Sequence, residues 1–93
     1  MSIVRINEFT SAAGKSSELF EFLTSLSDHI TQSEGCLSYE VLKAIDNENG
    51  FIVIEKWQSQ DYHQQSIANF PKDDMQAAMS LFAAPPKGTY YHY

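Results

Sequence analysis

The chain has 93 residues, of which 43% are hydrophobic and 19% are charged, with a formal net charge of −6 at pH 7. This composition fits a single globular domain over residues 1–93, and it excludes both a disordered chain and a membrane-embedded one. The six lysines and arginines are scattered, so we expect neither nucleic acid nor an anionic membrane surface as a partner.

Two further features bear on location and redox chemistry. No apolar run approaches the roughly 18–20 residues that a membrane-spanning helix needs, and the first residues, MSIVRINEFT, lack the layout of a secretory signal. We therefore expect a cytoplasmic protein. Cys36 is the single cysteine, which excludes an internal disulfide and a cysteine-based metal site within one chain.

The first predicted elements are a strand and a helix. Residues 2–9, SIVRINEF, alternate as a strand does. One face of this strand carries Ile3, Arg5, Asn7 and Phe9. Apolar residues then recur at helical spacing and predict a helix over residues 16–33, which Gly35 is expected to end as a left-handed cap. Its apolar face consists of Leu19, Phe22, Leu23, Leu26 and Ile30.

A hairpin is predicted next. The segments CLSYEVLKAI (36–45) and FIVIEKW (51–57) favour strands, and DNENG between them is a turn signal. We expect the first of these strands to place five residues on one face: Leu37, Tyr39, Val41, Lys43 and Ile45. The two strands should pair in the antiparallel direction.

The last predicted elements are helical segments and a short strand. Ser59 is a suitable cap for a helix over residues 60–70, and a further helical segment begins near Pro71. The second segment is expected to present a stripe of Met75, Ala78, Met79 and Phe82. The ending TYYHY favours a strand, with Tyr91 and Tyr93 on one face and Tyr90 and His92 on the other.

This order predicts an α+β fold of the ferredoxin-like βαββαβ type with an antiparallel sheet. The helices can cover only one face of such a sheet. The run Phe51 to Ile54 is nevertheless apolar on both faces. We therefore expect a homodimer through sheet-to-sheet packing, in which a second copy covers the other face.

Two polar residues on the first strand are candidates for a site. Asn7 lies in the middle of an amphipathic strand, so it either faces a wet cavity, occupies a sheet edge or is bound to a neighbouring loop. Arg5 shares its face and either supplies positive charge to an anionic or phenolate ligand or pairs with Glu55 or Glu40 across the sheet.

His63 and the tyrosines are the remaining polar candidates. His63 is either a general acid or base or a solvated surface histidine. Tyr39 and the carboxy-terminal tyrosines are suited to bind a ligand oxygen or to lie in an interface. The residues that could ligate a metal are too dispersed to predict a metal site, namely His29, Glu34, His63 and His92.

Several large apolar residues are compatible with either a pocket or a core. Trp57 ends its strand, where an indole either stacks on a flat substrate or fills the core beneath a helix. The same two alternatives hold for Phe22, Leu26, Phe51, Phe70, Met75, Met79 and Phe82.

The segments EGCLSYEV and DNENGFIVIEKWQSQDYH resemble the antibiotic biosynthesis monooxygenase domain family, which forms a dimeric α/β barrel. In that family a glycine-led second strand is followed by a turn, a third strand ending in Glu, one residue and Trp, and a Ser-capped helix. The matching residues are Gly35, Tyr39, Glu55, Trp57 and Ser59.

The resemblance implies a cofactor-independent monooxygenase of a small electron-rich aromatic substrate, such as a hydroquinone or an anthrone, with neither metal nor cofactor. In this interpretation the catalytic residues are Asn7, His63 and Tyr39. The substrate-binding residues are Arg5, Phe22, Phe51, Trp57, Ser66 and Met79. The main alternative is a non-catalytic small-molecule-binding or stress-response protein of the same fold.

Two other activities of the family fit less well. Haem-degrading members share an asparagine in the first strand, which Asn7 matches, but they also use a tryptophan and an iron-binding histidine where this chain has Ser66 and Gln76. An isomerase of a phosphorylated signal molecule would need a more basic pocket than Arg5 and Lys43 supply.

Overall fold

A computed structural model describes residues 2–93 of the chain. The strands are β1 (Ile3–Thr10), β2 (Cys36–Lys43), β3 (Gly50–Trp57) and β4 (Lys87–His92). The helices are α1 (Ser16–Thr31), α2 (Gln60–Asn69) and α3 (Lys72–Ala78), and a 3₁₀ turn, Met79–Leu81, follows α3. Within residues 2–93, no helix combines the length and the apolar character needed to cross a membrane.

The four strands form one antiparallel sheet in the order β2-β3-β1-β4. The two inner strands, β1 and β3, pair along their whole length, from Ile3 opposite Trp57 to Thr10 opposite Gly50. This order and the element sequence confirm the predicted ferredoxin-like α+β fold.

The helices cover one face of this sheet. On β3 the side chains of Phe51, Val53, Glu55 and Trp57 are buried in strict alternation. Leu19 and Leu23 of α1 are fully buried and form the core with Phe51 and Val53. The core sits under α1, while the end of the sheet that carries Glu55 lies near α2.

The opposite face of the sheet is exposed in the single chain. Ile52 is 37% exposed, Leu42 is 47% exposed and Tyr91 is 52% exposed. The apolar run in β3 is therefore covered on its helical face only, and its outer face is open to a second copy. The homodimer stays a prediction.

The segment from α1 to β2 differs from the prediction. The helix ends at Thr31: the amide of Gln32 still makes a helical bond to Asp28 O, but the amide of Ser33 bonds to Ile30 O instead, and Ser33 Oγ donates to His29 O. Gly35 therefore is not the helix cap. It lies in the following turn with φ +85, where a Cβ atom would come within 2.3 Å of Cγ of Tyr62.

Strand β2 is also shorter and less regular than predicted. A bulge between Cys36 and Ser38 interrupts the alternation and leaves Leu37 49% exposed. The strand ends at Lys43, so Ile45 lies in the turn and is fully exposed. Tyr39, Val41 and Lys43 keep the predicted common face, because they lie opposite Glu55, Val53 and Phe51.

Candidate active site

A largely apolar cavity of about 560 Å³ lies between the helices and the sheet. Its apolar walls come mainly from the helices and include Phe22, Leu26, Ile30, Phe70, Met75 and Met79. Its polar floor comes from the inner strands and α2: Arg5, Asn7, Glu55 and His63. A cavity of this size, with a few polar groups at one end, suits a small organic ligand.

The floor is organised by a chain of hydrogen bonds. Arg5 Nε donates to Asn7 Oδ1 at 3.0 Å, and Asn7 Nδ2 donates to Glu55 Oε2 at 3.2 Å. The other carboxylate oxygen, Oε1, accepts from Trp57 Nε1 at 2.9 Å. Asn7 therefore links the positive charge of Arg5 to the negative charge of Glu55.

These contacts decide between the alternatives for the first strand. Asn7 lies on an inner strand and its amide bonds to Arg5 and Glu55, so neither the edge position nor the loop contact is correct. Arg5 lies opposite Glu55 in the sheet but forms no ion pair with it within residues 2–93. Glu40 lies opposite Ile54, on the other face of the sheet, and is not a partner of Arg5 either.

Glu55 is the buried acid of the site. Its side chain is only 3% exposed. Burial raises the pKa of this carboxyl group above its ordinary value, and the hydrogen bond from Trp57, the charge of Arg5 and the hydrogen bond from Asn7 oppose that rise. Because the net pKa is raised, the cost of removing the charged carboxylate from water is larger than the stabilisation that Trp57, Arg5 and Asn7 give it.

His63 is buried against Glu55, so the surface alternative is wrong. It is 3% exposed, and its Nε2 lies 3.7 Å from Glu55 Oε1. Its Nδ1 lies 2.6 Å from the hydroxyl of Tyr90, and its ring packs edge-on against Trp57. Burial, followed by the charge of Arg5, lowers the pKa of His63 to about 4, so the imidazole is neutral at physiological pH.

Tyr39 forms part of the wall next to this floor. Its ring lines the cavity, and its hydroxyl donates to Leu23 O, which ties β2 to α1. Burial and the nearby charge of Glu55 both raise the pKa of this phenol. The hydroxyl is therefore a neutral group whose hydrogen already has a backbone acceptor.

A second polar group lies where α2 meets the end of α1. Ser66 is 5% exposed, and its hydroxyl lies 2.8 Å from Ser33 Oγ. His29 Nε2 lies 3.1 Å from the backbone oxygen of Ser66. His29 and Ser66 both line the cavity, but their polar atoms are largely used to join the two helices.

The model of one protein family matches residues 2–79, and this family is described as antibiotic biosynthesis monooxygenase. The chain belongs to the antibiotic biosynthesis monooxygenase family. Comparison with curated proteins gives no significant match.

Solved structures share the fold of this family member at low sequence identity. SnoaB of Streptomyces nogalater, described as a cofactor-independent oxygenase, has a TM-score of 0.86 at 16% identity, covering 99% of this chain and 92% of that one. Rv0793 of Mycobacterium tuberculosis has a TM-score of 0.88 at 16% identity, covering 100% and 95%. SO0527 of Shewanella oneidensis has a TM-score of 0.84 at 24% identity, covering 99% and 90%.

Most of the predicted site residues of this family member meet in one cavity. Those that line it are Arg5, Asn7, Phe22, Tyr39, His63, Ser66 and Met79. Phe51 and Trp57 do not line it: Phe51 is in the core beside Leu23, and Trp57 lies beneath the floor, in contact with Glu55 and His63. Within residues 2–93, no group of three or more His, Cys, Asp or Glu side chains is placed to hold a metal ion.

The roles of three residues of the site were not predicted. The sequence indicates Glu55 as a possible partner of Arg5 and as a match to the family pattern, but not as a residue of the cavity, into which the observed burial alternation of β3 turns it. Tyr90 bonds to His63 and packs under the guanidinium of Arg5, whose Cζ is 4.5 Å from the ring centroid. Gly88 lies opposite Asn7 on β4, and a glycine inside a strand is a recognised sign of close approach by another group.

Proposed function

We propose that this protein is a cofactor-independent monooxygenase that acts on a small electron-rich aromatic substrate of the hydroquinone or anthrone type. The observation that carries the proposal is the cavity, because aromatic and thioether walls meet a floor that holds Arg5 and Asn7. Membership of the family supports the proposal, as does the fold shared with SnoaB, which is described as a cofactor-independent oxygenase.

The walls suit a flat, apolar ring. Phe22 and Phe70 supply aromatic surface, and Met75 and Met79 supply adaptable thioether side chains. Met79 is 62% exposed and Met75 is 38% exposed, so both lie at the open side of the cavity. We therefore place the entrance between α3 and the segment that precedes β4.

The floor suits an anion derived from that ring. Arg5 carries a permanent positive charge, and within residues 2–93 only its Nε is hydrogen-bonded to another side chain. The second N–H of the Asn7 amide is likewise available, since only one is needed for Glu55. Positioned donors and a cation in a water-poor site stabilise a developing enolate or phenolate.

The proposed chemistry balances with oxygen as the only co-reactant. For an anthrone, the ring methylene loses one proton and becomes an enolate. The enolate is oxidised by O₂, and a new carbon–oxygen bond gives a hydroperoxide. Loss of water then leaves a carbonyl group, so one oxygen atom stays in the product and the other leaves as water.

Oxygen uptake by protein that has been dialysed against a chelator tests this proposal, with anthrone, dithranol and substituted hydroquinones as substrates. We expect uptake above the spontaneous rate, a fall of about tenfold or more in Asn7→Ala, and no change in Asn69→Ala, which removes an exposed amide from α2. Compounds that raise the melting temperature but are recovered unchanged from aerobic incubation would instead support the non-catalytic binding protein.

The homodimer belongs to the same proposal. The exposed outer face of the sheet, with Ile52, Leu42 and Tyr91, supports pairing with a second copy. A cytoplasmic location remains an expectation from the sequence.

A further inference from the structure

We propose that Glu55 accepts the proton that the substrate loses, and that His63 positions this carboxylate without acting on the substrate itself. This inference rests on the proposed function, because it assigns the base for the first step of that reaction. It departs from the sequence-based expectation, in which His63 is the general acid or base.

Both ring nitrogens of His63 face other residues of the site. A neutral imidazole has one N–H donor and one acceptor nitrogen. Nδ1 is hydrogen-bonded to the Tyr90 hydroxyl at 2.6 Å, and Nε2 faces Glu55 Oε1 at 3.7 Å, a polar contact longer than a hydrogen bond. The ring is also enclosed by Trp57 and Tyr90, so no nitrogen is left to meet a substrate.

Glu55 retains the capacity to take a proton. Each of its oxygens accepts one hydrogen bond from a side chain, Oε1 from Trp57 and Oε2 from Asn7, and a carboxylate oxygen has two acceptor positions. Among the lining residues in the described part of the chain, Glu55 is the only carboxylate. Because Oε2 is on the side of Asn7, the proton acceptor adjoins the group that would stabilise the anion.

The electrostatics favour transfer to this carboxylate. The titratable groups around Glu55 are Arg5 on β1, Cys36 and Tyr39 on β2, and His63 on α2. Of these, Arg5 is the only cation at neutral pH. Proton transfer neutralises Glu55 and places the negative charge on a substrate beside Arg5, so the net charge of this poorly solvated site does not change. Burial also raises the pKa of Glu55, which makes it a stronger base than a solvated glutamate.

The proton transfer to Glu55 balances in atoms and electrons. The substrate C–H or O–H bond breaks, the proton forms a bond with Oε2 of Glu55, and the electron pair remains on the substrate. When the peroxide forms, the protonated carboxyl group returns the proton to the peroxide oxygen. Glu55 is then regenerated as a carboxylate for the next turnover.

Anion formation under argon separates this step from oxidation. Anthrone absorbs at longer wavelength when it loses its proton, so the bound anion is measured by absorbance against pH. For Glu55→Gln we expect the anion band to be lost and turnover to fall by about 100-fold or more, with the dissociation constant for anthrone within about threefold of the wild-type value. Glu40→Gln is the matched control, because it removes a strand glutamate from the opposite face of the sheet.

His63→Asn tests the positioning role. Asparagine is too short to reach both Glu55 and Tyr90, so Glu55 Oε1 loses the polar imidazole nitrogen beside it, and the less polar surroundings disfavour the charged carboxylate. We expect the bound anion still to form, with its pH midpoint shifted upward and turnover reduced by no more than about tenfold. A purely structural role would lower stability but leave this midpoint unchanged.

Each result decides between the assignments. The proposal is overturned if Glu55→Gln forms the bound anion as well as the wild type does. It is also overturned if His63→Asn loses the anion while Glu55→Gln keeps it. A wild-type protein that binds anthrone but never forms the anion overturns it as well. Formation of the anion without oxidation, once oxygen is admitted, would leave Glu55 as the proton acceptor and contradict the proposed oxygenase activity.

If Glu55→Gln does not fold, Glu55→Asp replaces it. Anion formation that is slower but still depends on pH supports the assignment, and anion formation at the wild-type rate contradicts it.

Discussion

The guanidinium of Arg5 lies directly over Gly88, where a Cβ atom would come within 1.9 Å of Nη2 and 2.4 Å of Cζ. The same Cβ atom would lie 2.6 Å from Asn7 Oδ1. Because Gly88 has no side chain, the guanidinium of Arg5 can lie flat against the sheet and over the ring of Tyr90.

Gly88→Ala is expected to disturb the site without unfolding the protein. The end of the arginine side chain is flexible and can move away, while alanine is tolerated in a strand. We expect kcat/KM for oxidation of anthrone to fall by about tenfold, because the cation that stabilises the anion is displaced. Thr89→Ala, which changes the opposite face of the same strand, should have no such effect. Wild-type kinetics in Gly88→Ala would show that Arg5 is not needed in this position.

The buried His63 is expected to make stability depend on pH. Its pKa is about 4 in the folded chain, against 6.5 as the ordinary value, so the unfolded chain binds more protons between these two values. The free energy of unfolding therefore falls as the pH decreases from 6.5 to 4. Glu55, whose pKa is raised, acts in the opposite direction over its own range, because there the folded chain binds more protons.

His63→Asn tests the histidine contribution. Urea unfolding at pH 7 and pH 4.5 gives the change in unfolding free energy between these conditions, and we expect this change to be smaller in the variant by about 2 kcal/mol. Any loss of packing is common to both pH values and cancels. His92→Asn, which removes an exposed histidine from β4, is the control. An identical pH dependence in His63→Asn and wild type would mean that His63 is solvated.

Tyr39 is expected to contribute more to stability than to catalysis. Tyr39→Phe removes the hydrogen bond to Leu23 O, so the free energy of unfolding should fall by about 1 kcal/mol, with kcat within about threefold of wild type. Chemical unfolding and steady-state kinetics on the same preparation measure both effects. Tyr93→Phe, in a tyrosine that is 67% exposed, serves as the reference. A loss of kcat by about 100-fold at unchanged stability would support the catalytic role expected from sequence.

The fold and the shared face of Arg5 and Asn7 on β1 were predictable because their signals are local. The alternation in SIVRINEF placed Arg5 and Asn7 on one face, and both line the same cavity. The apolar run in FIVIEKW did not mark which of its residues face the helices. The burial of His63 had no such signal. Helix α2 buries two polar residues, His63 and Ser66, so hydrophobic periodicity did not mark its inner side.

Other parts of the site depend on contacts between residues distant in sequence. The need for glycine at position 88 arises from Arg5, more than eighty positions earlier, and the partner of Tyr90 lies on α2. The pKa values of Glu55 and His63 depend on burial by elements that close over them. Composition and spacing do not report such contacts.

The exposed apolar face of the sheet predicts that the protein is a dimer. Ile52→Asp places a charge at the centre of the proposed interface between two copies, where its removal from water would cost several kcal/mol. We expect light scattering to give the mass of two chains for wild type and of one chain for Ile52→Asp at low micromolar concentration. Ile45→Asp, in the fully exposed turn after β2, should remain a dimer. A wild-type mass of one chain would contradict the sheet-to-sheet pairing.

The fate of isotopically labelled oxygen tests the central claim most directly. Chelator-treated protein is incubated with anthrone under ¹⁸O₂, and the product is analysed by mass spectrometry alongside a protein-free sample. The account predicts anthraquinone that forms faster than in the blank and carries one ¹⁸O atom, because the other atom leaves as water. Product without ¹⁸O, or formation no faster than in the blank across the substrate panel, would contradict monooxygenation by this cavity.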